Sequence, residues 1–408
     1  MAEATGRVSG RIESSKEPRD RIGDRIEERR SRRAGIAGEE TKPINITSTQ
    51  QSSGILSVSL ENELSATINR SFKWLASRQK EDGSWSDSNF PALTALPVWA
   101  LTKSSYPDKE KILAKGIKFI LSCVNENGGI YREVKGRKGG GLSNYNTAIC
   151  MTALHATGDK AHLNIIRNAR KFIAGSQHFG DDQYTGGFGY DRDTERKYTD
   201  LLNTFYAIEA MARTADVEDT RPKNEKKADI DWRETVKYLE RMQNKPGAGD
   251  DNSGGFFYNP TDPKAGTSTN ASGVIVFRSY GSITYAGMLA LIYANISRED
   301  IRVQSAFDWA KRHWTLEENP GMGANGKYFF YNVLSRTLNA YGTNAIQLKD
   351  GSLLNWQSEL AKKLISLQKT DSATGEGFWE NAEARYWEGD PVLVTSYCLL
   401  ALETALGK

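Results

Sequence analysis

The sequence predicts an all-α fold, an (α/α)6 toroid in which six helical hairpins place a ring of inner helices inside a ring of outer ones, and three observations carry that expectation. First, one phrase recurs five times, at 94–101, 147–154, 204–211, 284–291 and 395–402, each copy opening on Thr and ending on a small-plus-large pair. A looser sixth copy runs over 331–338. A repeat at this period settles the architecture before any single residue is read for chemistry. Second, each phrase follows a stretch with apolar residues at helical spacing, near 61–79, 109–123, 160–176, 231–243, 301–313 and 353–368. The last is the clearest, with Leu353, Trp356, Leu360, Leu364 and Leu367 on one stripe. Third, the Thr-led helices are apolar nearly all round and must be covered on every side, which a closed ring provides and an open solenoid does not.

The joint between the two helices of a hairpin is best seen at 79–85, where Gln79 is followed by Asp82, Gly83 and Trp85. Gly83 supplies the positive φ that ends a helix, Asp82 suits a turn, and Pro91 suits the first turn of the next helix. Gln177, Gln243 and Gln368 end outer helices in the same way. Each precedes a Gly-rich turn closing on an aromatic residue, over Gly186–Tyr190, Gly254–Tyr258 and Gly375–Trp379. A Gln side chain can bond the backbone of the turn while the aromatic packs across it.

The size and composition set further bounds. A chain of 408 residues with 38% hydrophobic content can bury a large core. The formal charge of +3 is made of interspersed charges, so nothing reads as a nucleic-acid surface, and membrane contact is at most peripheral. Cys123, Cys150 and Cys398 lie within or at the ends of apolar helical patterns and are expected to be buried free thiols. No apolar run approaches the ~20 residues that span a bilayer, and no signal-like apolar core opens the chain. A cytoplasmic location is the expectation. Residues 1–55 contain no aromatic side chain and are expected to form a disordered charged tail, leaving 56–408 as the toroid domain.

Residues 79–85 match the Gln-x-x-x-Gly-x-Trp signature, and in that respect the chain resembles the prenyltransferase and squalene-cyclase (terpene cyclase) repeat superfamily over about 60–406. The resemblance implies a single toroid, while the signature itself is a structural brace that carries no chemistry. Class II terpene cyclases of this kind protonate an alkene with an Asp-x-Asp-Asp-Thr element. Laid on the repeat threonines, that element falls at Asp200, Leu202, Asn203 and Thr204, so one aspartate of three is present. Prenyltransferases of this kind hold zinc with Asp, Cys and His. Here His155, His162, His178 and His313 include none beside a repeat threonine, and no Asp-x-Cys occurs. No metal and no cofactor are expected.

Counted from the repeat threonine, offsets +1, +5 and +8 share one helical face, which is expected to look into a central cavity. They name Trp99, Thr152, Glu209, Leu289, Arg336 and Leu400 at +5, Phe205 and Tyr285 at +1, and His155 at +8. Of these, Trp99, Phe205, Tyr285, Arg336 and His155 are the candidate ligand contacts. An aromatic wall with a few polar groups suits a long isoprenoid or a carbocation passing along it, and equally a ring filled with wide side chains. Glu209 and Arg336 interrupt apolar helices at the same repeat position and are expected to meet, or to bind a polar group, across the cavity; solvation at a helix edge is the alternative.

The third unit adds an acidic loop with Asp181, Asp182, Asp191, Asp193, Glu195 and Asp200. Such a loop could coordinate a divalent ion for a diphosphate, supply a replacement acid, or simply be solvated. Asp200, Asp193, Asp191 and Glu209 are the catalytic candidates, with Asp200 alone at the cyclase-like position. The loop 246–280 reads as a lid or a surface insertion. The leading expectation is a toroid with a central apolar cavity for an isoprenoid-like small molecule, as a divergent terpene cyclase or prenyltransferase. A non-catalytic scaffold whose loops bind a protein partner, and a carbohydrate-processing α/α-barrel enzyme, are the alternatives.

Overall fold

In the computed structural model the described residues are 56–134, 141–192 and 198–407. The tail 1–55, Asp193 and Glu195 lie outside them. Twelve α-helices alternate between the two rings among these residues. The outer helices are α1 (Val58–Arg78), α3 (Lys109–Leu121), α5 (Leu163–Ala174), α7 (Trp232–Met242), α9 (Ile301–Arg312) and α11 (Trp356–Leu367). The inner helices are α2 (Ala92–Lys103), α4 (Ser143–Ala156), α6 (Leu201–Arg213), α8 (Gly281–Tyr293), α10 (Lys327–Tyr341) and α12 (Pro391–Ala405). Inner helices pack in the order α2, α4, α6, α8, α10, α12, and α12 returns to pack on α2. The expected ring is therefore closed, with α1 also lying against α11 and α12.

The helix heads follow from local capping. Asp200, Asp231, Asp300 and Asp390 each accept a backbone N–H from the turn they open, and Pro391 fills the first position of α12. The stripe expected from Leu353 starts later, because Leu353–Asn355 pairs as a strand with Ala345–Gln347 and the side chain of Asn355 caps Ser358. Leu353 is accordingly exposed. The loop 246–280 carries a small hairpin, Thr267–Thr269 against Ile275–Phe277.

The joints do more than the sequence suggests. Gln79 Nε2 donates to the carbonyl of Gly83 at 3.1 Å and to that of Ile112, on the next outer helix, at 3.0 Å. Gln177 joins Gly186 to Asp231, and Gln243 joins Gly254 to Arg302, in the same way. Gln368 reaches Thr67 on α1 at 2.9 Å, so the last joint fastens the end of the ring to its beginning. The repeat threonines supply the other half of the brace. Oγ1 of Thr94, Thr147, Thr204, Thr284 and Thr395 accepts the backbone N–H of Trp85, Ile130, Phe188, Phe256 and Trp379 respectively, at 2.9–3.1 Å. Gly83 has φ +88°, and a Cβ there would stand 2.2 Å from the carbonyl oxygen of Lys115. Only glycine lets the turn approach the neighbouring helix that closely.

The inner helices are buried along almost their whole length, and the three cysteines are buried and free. Among the described residues no helix is long and apolar enough to cross a membrane.

Candidate functional site

Because every hairpin runs outer helix first, the six inner helices point the same way. Their N-termini gather at one mouth of the ring and their C-termini at the other. Towards the C-terminal half, Arg336 on α10 donates through Nη2 to Glu209 Oε1 on α6. The same carboxylate oxygen accepts Arg213 Nε at 2.8 Å and the Tyr293 hydroxyl at 3.2 Å. Arg336 Nη1 also donates to Asn332 Oδ1 at 3.1 Å, and its guanidinium lies 5.1 Å from the Trp99 ring centre and 5.4 Å from that of Phe205. Glu209 and Arg336 are both buried, and burial pushes the arginine down to about 10. Buried charge is tolerated where it is paired and hydrogen-bonded. The expected meeting of these two residues is what is found, together with Trp99 and Phe205 from the same face.

Lys103, at the end of α2, faces the same cluster. Its amine is pushed down to about 8, first by burial and then by Arg213 and Arg336, against an opposing pull from Glu403.

Nearer the N-terminal mouth the axis is lined by residues that the counted face misses. Tyr145 and Tyr206 meet edge to face at 5.3 Å, Tyr206 lies 6.2 Å from Phe329, and Phe329 lies 5.7 Å from Tyr397. The phenols of Tyr145, Tyr206 and Tyr397 cluster together, and burial holds all three above the ordinary tyrosine range. These positions fall two residues before or two after the repeat position. The sequence signal was available, since Tyr206 lies one helical turn before Glu209 and Phe329 two turns before Arg336.

Asp200 caps α6 and is fully buried. Its carboxylate accepts Asn203 N at 2.8 Å and Asn203 Nδ2 at 2.7 Å, with the Tyr258 phenol beside it. Burial outweighs these bonds and raises its pKa to about 6. The hydroxyls of Tyr258 and Tyr190 are 3.2 Å apart, and the Tyr190 ring lies 6.5 Å from that of Tyr145. A line of phenols therefore leads from Asp200 towards the axial tyrosines. Oδ1 of Asn144 and Oδ1 of Asn203 are buried near this line with no hydrogen-bond partner. Such orphan acceptors leave capacity for a donor.

The remaining candidates are placed as follows. Asp191 Oδ1 accepts the backbone N–H of Ser143 at 2.7 Å, at the head of α4. Tyr285 packs edge to face on Phe330 at 5.7 Å, between α8 and α10. His155 departs from the expected cavity face: offset +8 falls in the last turn of α4, where Nε2 lies 2.8 Å from the exposed Asp216 on the segment after α6. Asp182 bonds His178, and Asp181 is exposed, so the described carboxylates of the acidic loop do not converge on one point. Among the described residues no three His, Cys, Asp or Glu side chains are placed to hold a metal ion.

No protein-family model and no curated protein matches the chain. Solved structures do match along most of it. A variant of the type II terpene cyclase MstE from Scytonema, in its apo form, is 12% identical, covers 86% of this chain and 98% of its own, and has a TM-score of 0.51. Candida albicans protein geranylgeranyltransferase-I, complexed with GGPP, is 16% identical over 82% of this chain and 90% of its own, with a TM-score of 0.51. A family 76 glycoside hydrolase from a bovine Bacteroides thetaiotaomicron strain is 11% identical over 86% and 78%, with a TM-score of 0.53. The chain has the α/α-toroid fold. At these identities the likeness concerns the fold, which all three enzymes share while their named chemistries differ.

Proposed function

We propose that this toroid binds an isoprenoid-like hydrocarbon at the N-terminal mouth and isomerises it by proton-initiated cyclisation, as a divergent terpene cyclase with Asp200 as the acid. The observation that carries this reading is the state of Asp200: a buried carboxyl raised to about 6, at the head of an inner helix and joined by phenols to an aromatic axis. An acid that must protonate an alkene needs a dry site and a pKa near the working pH. In the reaction, the Asp200 O–H bond breaks as a C–H bond forms at one alkene carbon, and the π pair becomes that bond. The cation moves along the chain as further alkenes close rings, and ends by losing a proton from carbon to solvent. Asp200 is reprotonated from solvent through Tyr258 and Tyr190, so the net change is an isomerisation. Tyr145, Tyr206, Phe329 and Tyr397 offer ring faces to the moving charge.

The isoprenoid class is supported by two of the fold relatives, one described as a type II terpene cyclase and one complexed with GGPP. Diphosphate ionisation is less well supported, since Asp191 and Asp182 are already engaged by Ser143 and His178. The test is incubation of the full chain with squalene and, separately, with geranylgeranyl diphosphate, followed by mass spectrometry of the extract. Cyclic isomers of unchanged mass are expected from wild type and not from Asp200→Asn. Ionisation products of the diphosphate, or equal turnover by Asp200→Asn, would remove the acid assignment.

A further inference from the structure

We infer that Tyr386 and Trp387 form a fixed aromatic lip at the mouth, a subsite for the distal hydrocarbon end of a long isoprenoid; this rests on the function proposed above. The two residues are consecutive, neither is glycine, and both hold left-handed backbone, with φ +60° and +68°. Bulky side chains rarely adopt that conformation, and it persists only where the surroundings impose it. Here the imposing group is Glu388. Its fully buried carboxylate accepts Phe329 N at 2.7 Å, Tyr328 N at 3.3 Å and Asn381 Nδ2 at 2.7 Å. The carboxylate thus sits at the positive end of α10 and pins the turn that carries the two aromatics.

The strain does not serve to bury them. Tyr386 and Trp387 remain 43% and 40% exposed, among the few large apolar side chains of the described residues that are. They are directed across the heads of inner helices. A Cβ on Gly326, the residue before α10, would lie 3.6 Å from Tyr386 Cδ2, and the Trp387 ring meets Phe90, just before α2, edge to face at 4.6 Å. The residue whose N–H Glu388 holds most closely is Phe329, the half-buried ring that touches both Tyr206 and Tyr397. Exposed lip and axial tyrosines are therefore linked through one residue. An occupant that spans them must be long and apolar, with one end on the lip and the other near the phenols that lead to Asp200.

The test uses the full chain, with geranylgeraniol as the long probe and geraniol as the short one, followed by calorimetry and tryptophan fluorescence. The variant is the double substitution Tyr386→Gly and Trp387→Gly, which removes both rings and relieves the left-handed strain. The expected result is geranylgeraniol binding at least tenfold weaker, geraniol binding unchanged, and a melting temperature equal to or above wild type. The double variant Tyr386→Phe and Trp387→Phe should restore long-chain binding. Unchanged geranylgeraniol binding by the glycine variant would overturn the subsite while leaving the cyclase reading intact. Loss of both alcohols with a lower melting temperature would make the turn structural, and so overturn it too. Lip-dependent sedimentation with phosphatidylcholine vesicles would reassign the aromatics to a lipid surface. Failure of wild type to bind either alcohol would overturn both readings.

Discussion

The Arg336 guanidinium meets the Glu209 carboxylate across the middle of the ring, tying α10 to α6, two helices separated in the ring by α8. The two partners are not equally replaceable. Without Arg336, Glu209 keeps Arg213 and Tyr293; without Glu209, Arg336 is left with Asn332 and two ring faces. Breaking a buried pair from one side costs about 3–5 kcal/mol, because the other charge stays behind. Glu209→Ala should fall at the upper end of that range and Arg336→Ala at the lower. Replacing both by Ala should cost clearly less than the sum of the two. Urea unfolding of the four proteins measures this, and strict additivity would mean that the pair does not act as a unit.

That pair was legible in the sequence for a physical reason: a charge in a helix that is apolar all round must find a partner, and two such charges at one repeat offset face the same space. The hairpins and the joint glutamines were legible on similar grounds. The axial tyrosines were not read, because the counted offsets +1, +5 and +8 include neither the second residue before the repeat position nor the second after it. In the structure each threonine sits two to four residues inside its helix, as Thr94 does in α2 and Thr395 in α12, which leaves room for axial residues before the repeat position, as at Tyr145 before Thr147 and Phe329 before Tyr331. The role of Asp191 could not be read at all, since its acceptor bond to Ser143 depends on two distant loops returning to the same place.

The repeat threonines make a second prediction. Thr284 Oγ1 accepts the backbone N–H of Phe256 at 3.0 Å, and both residues are fully buried. Thr284→Val keeps the shape and removes the acceptor, stranding the amide. The expected loss is about 1–3 kcal/mol in denaturant unfolding. Thr337→Val is the control on another buried inner-helix threonine, whose hydroxyl donates to carbonyls of Val333 and Tyr285. Carbonyls keep other lone-pair partners more readily than a stranded N–H does, so Thr337→Val should cost less. Equal losses would show that the joint amide gains nothing particular from the repeat threonine.

Lys103 gives a third. Its folded pKa, about 8, lies below the ordinary 10.5, so the native state binds fewer protons than the unfolded chain between those values. Stability should therefore rise as pH increases through that window, and Lys103→Met should flatten the rise. Removing a neighbouring cation by Arg213→Met should move the amine upward, and Glu403→Gln should move it further down. Carbon-13 spectra of reductively methylated lysines follow the titration directly. A Lys103 signal that titrates with the exposed lysines would refute the buried-cluster account.

Asp200 gives the fourth, and here the sign is opposite to that of an ordinary salt-bridged carboxylate. The folded pKa of about 6 lies above the unfolded 3.8, so the native state binds the extra proton between these values. A penalty for ionising the buried group is absent below pH 3.8, grows as pH rises to 6, and then levels off on the order of 3 kcal/mol. Asp200→Asn carries no such penalty and can still cap α6, since Asn and Asp are comparable caps. It does lose the acceptor that faces Asn203 Nδ2, a cost that does not vary with pH. The stability of wild type relative to Asp200→Asn should therefore fall between pH 4 and 6 and stay constant above. Unfolding free energies at several pH values measure the slope. The same ionisation should reduce any cyclase turnover above pH 6, because the acid has then lost its proton before substrate arrives. A flat stability difference would place the carboxyl at its ordinary pKa and remove the physical basis for calling it an acid.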